Sequence, residues 1–207
     1  MLLFGRRRTM NPARSRAAVA YAGEVAGRVR EVTGHEIFAW TTVFSPDAGT
    51  VLWSVRVEHL SELEMANDKM ATDTGLMDFI EQADDLFVGP LADSLVQVVH
   101  GTPDPSPMSY VGVVQATCLP GKLSGAMAFG AEVADAVTRV TGRSCLFCAS
   151  LSGDWGGVSW VTGSPDADSL QKDNDTWSGD AGAIAMMDKA AEFFQPAAST
   201  TYLRRLA

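Results

Sequence analysis

The segment EVAGRVREVTG at 24–34 returns as EVADAVTRVTG at 132–142, and a chain that repeats itself at such a distance should fold twice into one architecture. The offset of 108 residues sets Val25 on Val133, Val29 on Val137, Val32 on Val140 and Thr33-Gly34 on Thr141-Gly142. Upstream, the same offset sets Thr9 on Thr117, Pro12 on Pro120, Arg14 on Lys122 and Tyr21 on Phe129. Downstream it shortens by one, so that Trp53 falls on Trp160, Leu63 on Leu170, Asn67-Asp68 on Asn174-Asp175 and Phe87 on Phe194. Valines recur by chance in a chain that is 46% hydrophobic, whereas tryptophan, asparagine and proline seldom hold a near-constant spacing without cause. Between the copies, Thr102-Pro103-Asp104-Pro105-Ser106-Pro107 carries prolines that fix backbone angles and favour an extended spacer. The expected organisation is a first repeat over 1–101, a proline-rich linker over 102–108 and a second repeat over 109–207.

Within the first copy the hydrophobic period switches in a readable order. Residues 2–9 read as a strand. Asn11 before Pro12 suits a helix start, and Ala18, Tyr21, Val25, Val29 and Val32 then recur at helical spacing until Gly34 ends the helix. Strands are expected over 35–44 and 51–58, separated by the turn residues SPDAG at 45–49. Ser61 with Glu64 has the spacing of a capping box, opening a helix through about Met70, with a second helical piece from Leu76 towards Ala83. A strand over 94–100 closes the copy. The second copy reads as strand 109–117, helix 121–141, strands 144–151 and 157–162, a helical stretch over 168–194 and a strand near 199–205.

The order β-α-β-β-α-β is that of the ferredoxin-like unit, a four-stranded antiparallel sheet with both helices on one face. The uncovered face needs a cover, so two such sheets in one chain should pack together. The expected fold class is therefore α+β: two ferredoxin-like βαββαβ repeats forming a single-chain α/β barrel. With that order, and with LSELEMANDKMATDTGLMDFIEQADDLF at 60–87, the chain resembles the dimeric α/β-barrel superfamily. That superfamily includes antibiotic-biosynthesis-type monooxygenases and stress-responsive barrel proteins. The resemblance implies that both halves of what is usually a homodimer are fused here, which leaves each half free to diverge. Arg6-Arg7-Arg8 against Val114-Gln115-Ala116, and Arg56 against Gly163, show such divergence.

Charge and composition exclude several classes of function. Acidic residues outnumber basic ones, 25 to 16, for a net charge of −9, so nucleic acid is not an expected partner. No apolar run is long enough for a membrane span, and MLLFGRRRTM has its basic residues on the wrong side of its apolar ones for a secretory signal. Three cysteines cannot all pair, which suits a reducing compartment, and the expected location is the cytoplasm or a virion. Neither a phosphate-binding GxxxxGK[ST] nor a dinucleotide GxGxxG is present, and the acidic clusters lack the calcium-loop pattern.

Candidate functional residues are few. Cys145-x-x-Cys148 has a redox or zinc spacing, but on a strand residues three apart face opposite ways and no second ligand pair accompanies them, so no metal is expected. Arg6, Arg7 and Arg8 are the least expected residues of an acidic chain. Arg6 and Arg8 share a strand face, and each must meet water, the protein's own carboxylates or an anionic partner. Arg56 and His59 join them as binding candidates. Of the histidines, His35, His59 and His100 sit at element ends, and none has a nucleophile beside it. Haem-degrading members of the superfamily use a His, an Asn and a Trp. This chain offers His59, Asn67 and Trp53, but their order does not match that pattern and the roles are not carried over. Trp53 and Trp160, being repeat equivalents, are expected in equivalent cores.

With no catalytic residue assignable, the leading expectation is a non-catalytic structural or binding protein without a cofactor. It would be a subunit of a larger assembly, a viral capsid or decoration component included, with a protein partner or self-assembly. The alternative is a cofactor-independent monooxygenase or haem-degrading enzyme of the α/β-barrel type, holding a small apolar ligand between sheet and helices.

Overall fold

The computed structural model describes all of residues 1–207. Eight strands and six principal helices follow in the order β1 (Leu2–Met10), α1 (Ser15–Thr33), β2 (Ile37–Val43), β3 (Thr50–Val57), α2 (Leu60–Thr72), α3 (Thr74–Glu81), β4 (Phe87–His100), β5 (Tyr110–Thr117), α4 (Leu123–Thr141), β6 (Cys145–Ser150), β7 (Gly157–Ser164), α5 (Ala167–Gly179), α6 (Ala181–Ala190) and β8 (Ser199–Arg205). The fold is α+β. The hydrogen-bonded strand order β1-β3-β2-β8-β5-β7-β6-β4 closes on itself as an antiparallel barrel. The chain forms two compact units, Met1–Leu95 with Arg204–Ala207, and Val96–Leu203. No helix is long and apolar enough to cross a membrane.

In the first unit β3 lies between β1 and β2, with Arg6 opposite Trp53, Arg8 opposite Val51 and Ala39 opposite Trp53. Strand alternation sends Leu2, Phe4, Arg6 and Arg8 to one face. That face takes α1, whose buried Ala18, Ala22 and Ala26 let the helix approach the sheet closely. Asn11 starts the helical segment by accepting from the Ala13 amide, and Gly34, at φ 79°, ends α1 in the left-handed conformation that glycine adopts without steric cost. The second unit repeats the plan: β7 pairs with β5 and β6, α4 covers the sheet, and Gly142 ends that helix at φ 74°. Its core gathers Phe129, Phe147, Trp160 and Phe194.

Three local expectations are corrected. The helix after β3 starts at Leu60, not after Ser61, because the Glu62 carboxylate, rather than Glu64, accepts from the backbone amides of Glu58 and His59 at 3.0 and 2.9 Å. Strand β4 begins at Phe87, seven residues ahead of the expected Ser94, and carries Gly89 and Pro90 within it. The stretch over 168–194 is two helices separated at Asp180, whose carboxylate accepts from the Ala183 amide at 2.8 Å. Asp73 does the same in the first unit, accepting from Leu76 at 2.8 Å to start α3.

Candidate functional site

The first unit holds a cavity of about 170 Å³ between the sheet and its helices. Sheet residues Phe4, Ile37, Trp53 and Val55 form its floor. Val25 and Val29 of α1 and Leu63 and Met70 of α2 form its walls. Arg6, Arg8, Tyr21, Thr33, His35 and Asn67 bring the polar groups. A mostly apolar cleft with a few convergent polar side chains is the usual form of a small-molecule site.

The Trp53 indole is anchored, its Nε1 donating to the Ala22 carbonyl at 2.9 Å, which fixes the ring plane against α1. Trp160 does the same to the Gly130 carbonyl at 2.8 Å, as repeat equivalence implies, but there the ring belongs to a filled core. Tyr21 donates weakly to the Ile80 carbonyl at 3.4 Å, and burial pushes its hydroxyl up to about 12, so it remains protonated near neutrality. Arg6 grips Asp93 with Nε and Nη2, both at 2.8 Å, and this holds the Asp93 carboxyl below the usual carboxylate range. The Arg8 guanidinium stands 4.7 Å over the Phe87 ring and makes no salt bridge, and its Nε is buried without a hydrogen-bond partner. His35 is half-buried and lines the cavity, and its amide donates to Thr33 Oγ1 at 3.2 Å.

The two units differ both in their helix–sheet packing and in the residues at the cavity's lining positions. Ala39 and Ala22 are fully buried on the sheet and on α1. At the matching positions of the second unit stand Phe147, opposite Trp160 as Ala39 is opposite Trp53, and Gly130. Phe147 is fully buried, and a β-carbon on Gly130 would lie 2.2 Å from its ring. His35 and Ala66 have as counterparts Arg143 and Asp173, which form an ion pair at 3.1 Å, reinforced by Ser164 at 3.1 Å. Where His35 and Ala66 line the first unit's cavity, the second unit thus holds a paired arginine and aspartate.

Of the five binding candidates, the structure brings Arg6 and Arg8 together at the cavity. Arg7 points from the opposite strand face and is exposed, as are Arg56 on β3 and His59 ahead of α2. His35, Trp53 and Asn67 line the cavity although the sequence reading gave them no role. Cys145 and Cys148 are both buried within β6, where burial pushes the thiols up to about 12 and about 11.

No protein-family model matches the chain, and no curated protein matches its sequence. Solved structures share its fold throughout. A Fusobacterium nucleatum protein provisionally named a monooxygenase superposes with a TM-score of 0.73 at 8% identity, over 100% of this chain and 92% of the other. An anthrone oxidase-like protein gives 0.65 at 13% identity, over 99% and 90%. A chlorite dismutase from Candidatus Nitrospira defluvii gives 0.50 at 12% identity, over 99% and 92%. These neighbours are dimeric α/β-barrel proteins, and at such identities the likeness shows the fold. It corrects the expectation of a non-catalytic capsid or decoration subunit: these structures are named as enzymes, which favours the enzymatic alternative. Within that alternative haem does not fit. The cavity has about 170 Å³, below the roughly 300–1,000 Å³ of pockets that take drug-sized ligands.

Proposed function

We propose that the protein is a cofactor-independent monooxygenase that oxidises a small, flat, electron-rich molecule in the first unit's cavity. One observation carries the reading: a small apolar cleft on the helix-bearing face with an anchored indole and a histidine in its lining. The fold neighbours named monooxygenase and anthrone oxidase-like support it.

Ground-state dioxygen reacts slowly with closed-shell molecules, but readily accepts electrons from a stabilised carbanion or aryl-oxide. In this reading His35 takes the proton from the substrate, since imidazole is the side chain suited to proton transfer near neutrality. The apolar walls exclude water from the anion, and Trp53 holds its plane. For a methylene substrate, two C–H bonds and the O–O bond break; one oxygen stays as the new carbonyl and the other leaves with both hydrogens as water. The substrate supplies all the electrons, so the balance needs only dioxygen.

Oxygen-electrode measurements with anthrone and 1,4-dihydroxynaphthalene test this. Saturable uptake above the spontaneous rate, with product gaining one oxygen and losing two hydrogens in the anthrone case, is expected. His35→Ala should slow it by about 10²–10⁴-fold. Uptake equal to the protein-free blank with both compounds refutes the proposal.

A further inference from the structure

The two cationic side chains at the cavity are in unlike electrostatic states, and the difference bears on what the cavity accepts. Arg6 is spoken for by Asp93 in a two-point contact. Arg8, two residues along the same strand face, is half-buried and has no carboxylate. Of the carboxylates on neighbouring elements, Asp85 is engaged by Arg14 and Glu24 by Arg28. Asp84 is exposed and forms no salt bridge. Stacking on Phe87 offsets part of the desolvation of Arg8 but leaves its in-plane donors unused, including the buried Nε. A buried guanidinium nitrogen without an acceptor costs stability. Nε is closed off from the cleft, but Nη1 and Nη2 are not buried and have no acceptor in the protein, so these are the donors an anionic oxygen at the cleft would engage.

We propose that Arg8 is the anion-recognising residue of the cavity, and that the ligand is a flat apolar molecule carrying one anionic oxygen group, a carboxylate or an ionised aryl hydroxyl. This rests on the preceding assignment of the cavity as the substrate site and adds the charge of what it takes. The second unit has Ala116 at the equivalent position and offers no such cation.

Titration calorimetry of the intact chain with 2-naphthoate and its neutral isostere 2-naphthamide is the test, and 2-naphthol titrated on either side of its ionisation distinguishes aryl-oxide from carboxylate. Naphthoate is expected to bind at least tenfold more tightly than naphthamide. Arg8→Met, which keeps the apolar stem over Phe87, should abolish that preference; Arg8→Lys should restore part of it, and Arg7→Met should leave it intact. Far-UV circular dichroism and urea midpoints check that the variants fold. Equal affinity for the two probes, no naphthoate binding by the folded chain, or a preference that survives Arg8→Met overturns the inference. A charge preference without oxygen uptake would sustain the anion site and sink the oxygenase reading. Uptake with no charge preference would do the reverse.

Discussion

Gly130→Ala should destabilise this protein, although alanine is the better helix former, and its sign should reverse once Phe147 is removed. In the middle of α4 the substitution gains about 1 kcal/mol of helix propensity. The new β-carbon, however, would lie 2.2 Å from Phe147 Cζ, inside any tolerable contact. Phe147 is fully buried against Trp160, with ring centroids 5.3 Å apart, so it has little room to withdraw. Overpacking of this kind costs about 1–3 kcal/mol, which leaves a net loss of up to about 2 kcal/mol. Phe147→Ala alone should cost about 3–5 kcal/mol as a large-to-small core change. In that background the ring is gone, and Gly130→Ala should recover about 1 kcal/mol by recreating the Ala22 and Ala39 pair of the first unit. The coupling between the two changes is then on the order of 2 kcal/mol, well above the few tenths expected of independent sites. Urea denaturation followed by far-UV circular dichroism on the four proteins of the cycle measures it. If Gly130→Ala raises the midpoint of the wild type, or acts alike in both backgrounds, the steric exchange between the two units is wrong.

Alkaline pH should destabilise the fold through β6. Burial holds Cys145 and Cys148 protonated up to about 12 and about 11, whereas thiols in the unfolded chain ionise near about 8.5. The unfolded state therefore releases protons first. Stability is retained at neutral pH and falls from pH about 9 upward, by about 1.4 kcal/mol per pH unit for each thiol until its folded value is reached. Cys148→Ala should remove about one such increment from the slope between pH 9 and 10 in urea melts, and an unchanged slope would contradict it. Asp73→Ala should cost about 0.5–2 kcal/mol by leaving the Leu76 amide uncapped. Because α3 carries Ile80 to the cavity, the same change should weaken naphthoate binding, which calorimetry would register.

Much of the architecture is legible in the residues themselves. Gly34 and Gly142 mark helix ends because each stop needs a left-handed residue, and the spacing of Trp53 and Trp160 announces two sheets with equivalent tryptophans. The early start of β4 is hidden because Gly89 and Pro90 carry turn chemistry while lying in a strand. The candidate site is harder to see. His59 draws the eye at a strand–helix junction but stays exposed, whereas His35 reaches the cavity only because Gly34 turns the chain beside α1. Ala66, the small residue of the cavity's lining, leaves no motif. A signal was nevertheless available: aligning the copies sets His35 on Arg143 and Ala66 on Asp173, an exchange that points to unlike surroundings in the two copies.

The proposed substrate site is the cavity in the helix–sheet layer of the first unit. His35→Arg combined with Ala66→Asp would copy the second unit's Arg143–Asp173 ion pair into the lining of the first unit's cavity. Calorimetry with 2-naphthoate should find one equivalent bound per wild-type chain and none bound by the folded double variant. Two equivalents per chain, or binding that persists in the double variant, would contradict the account.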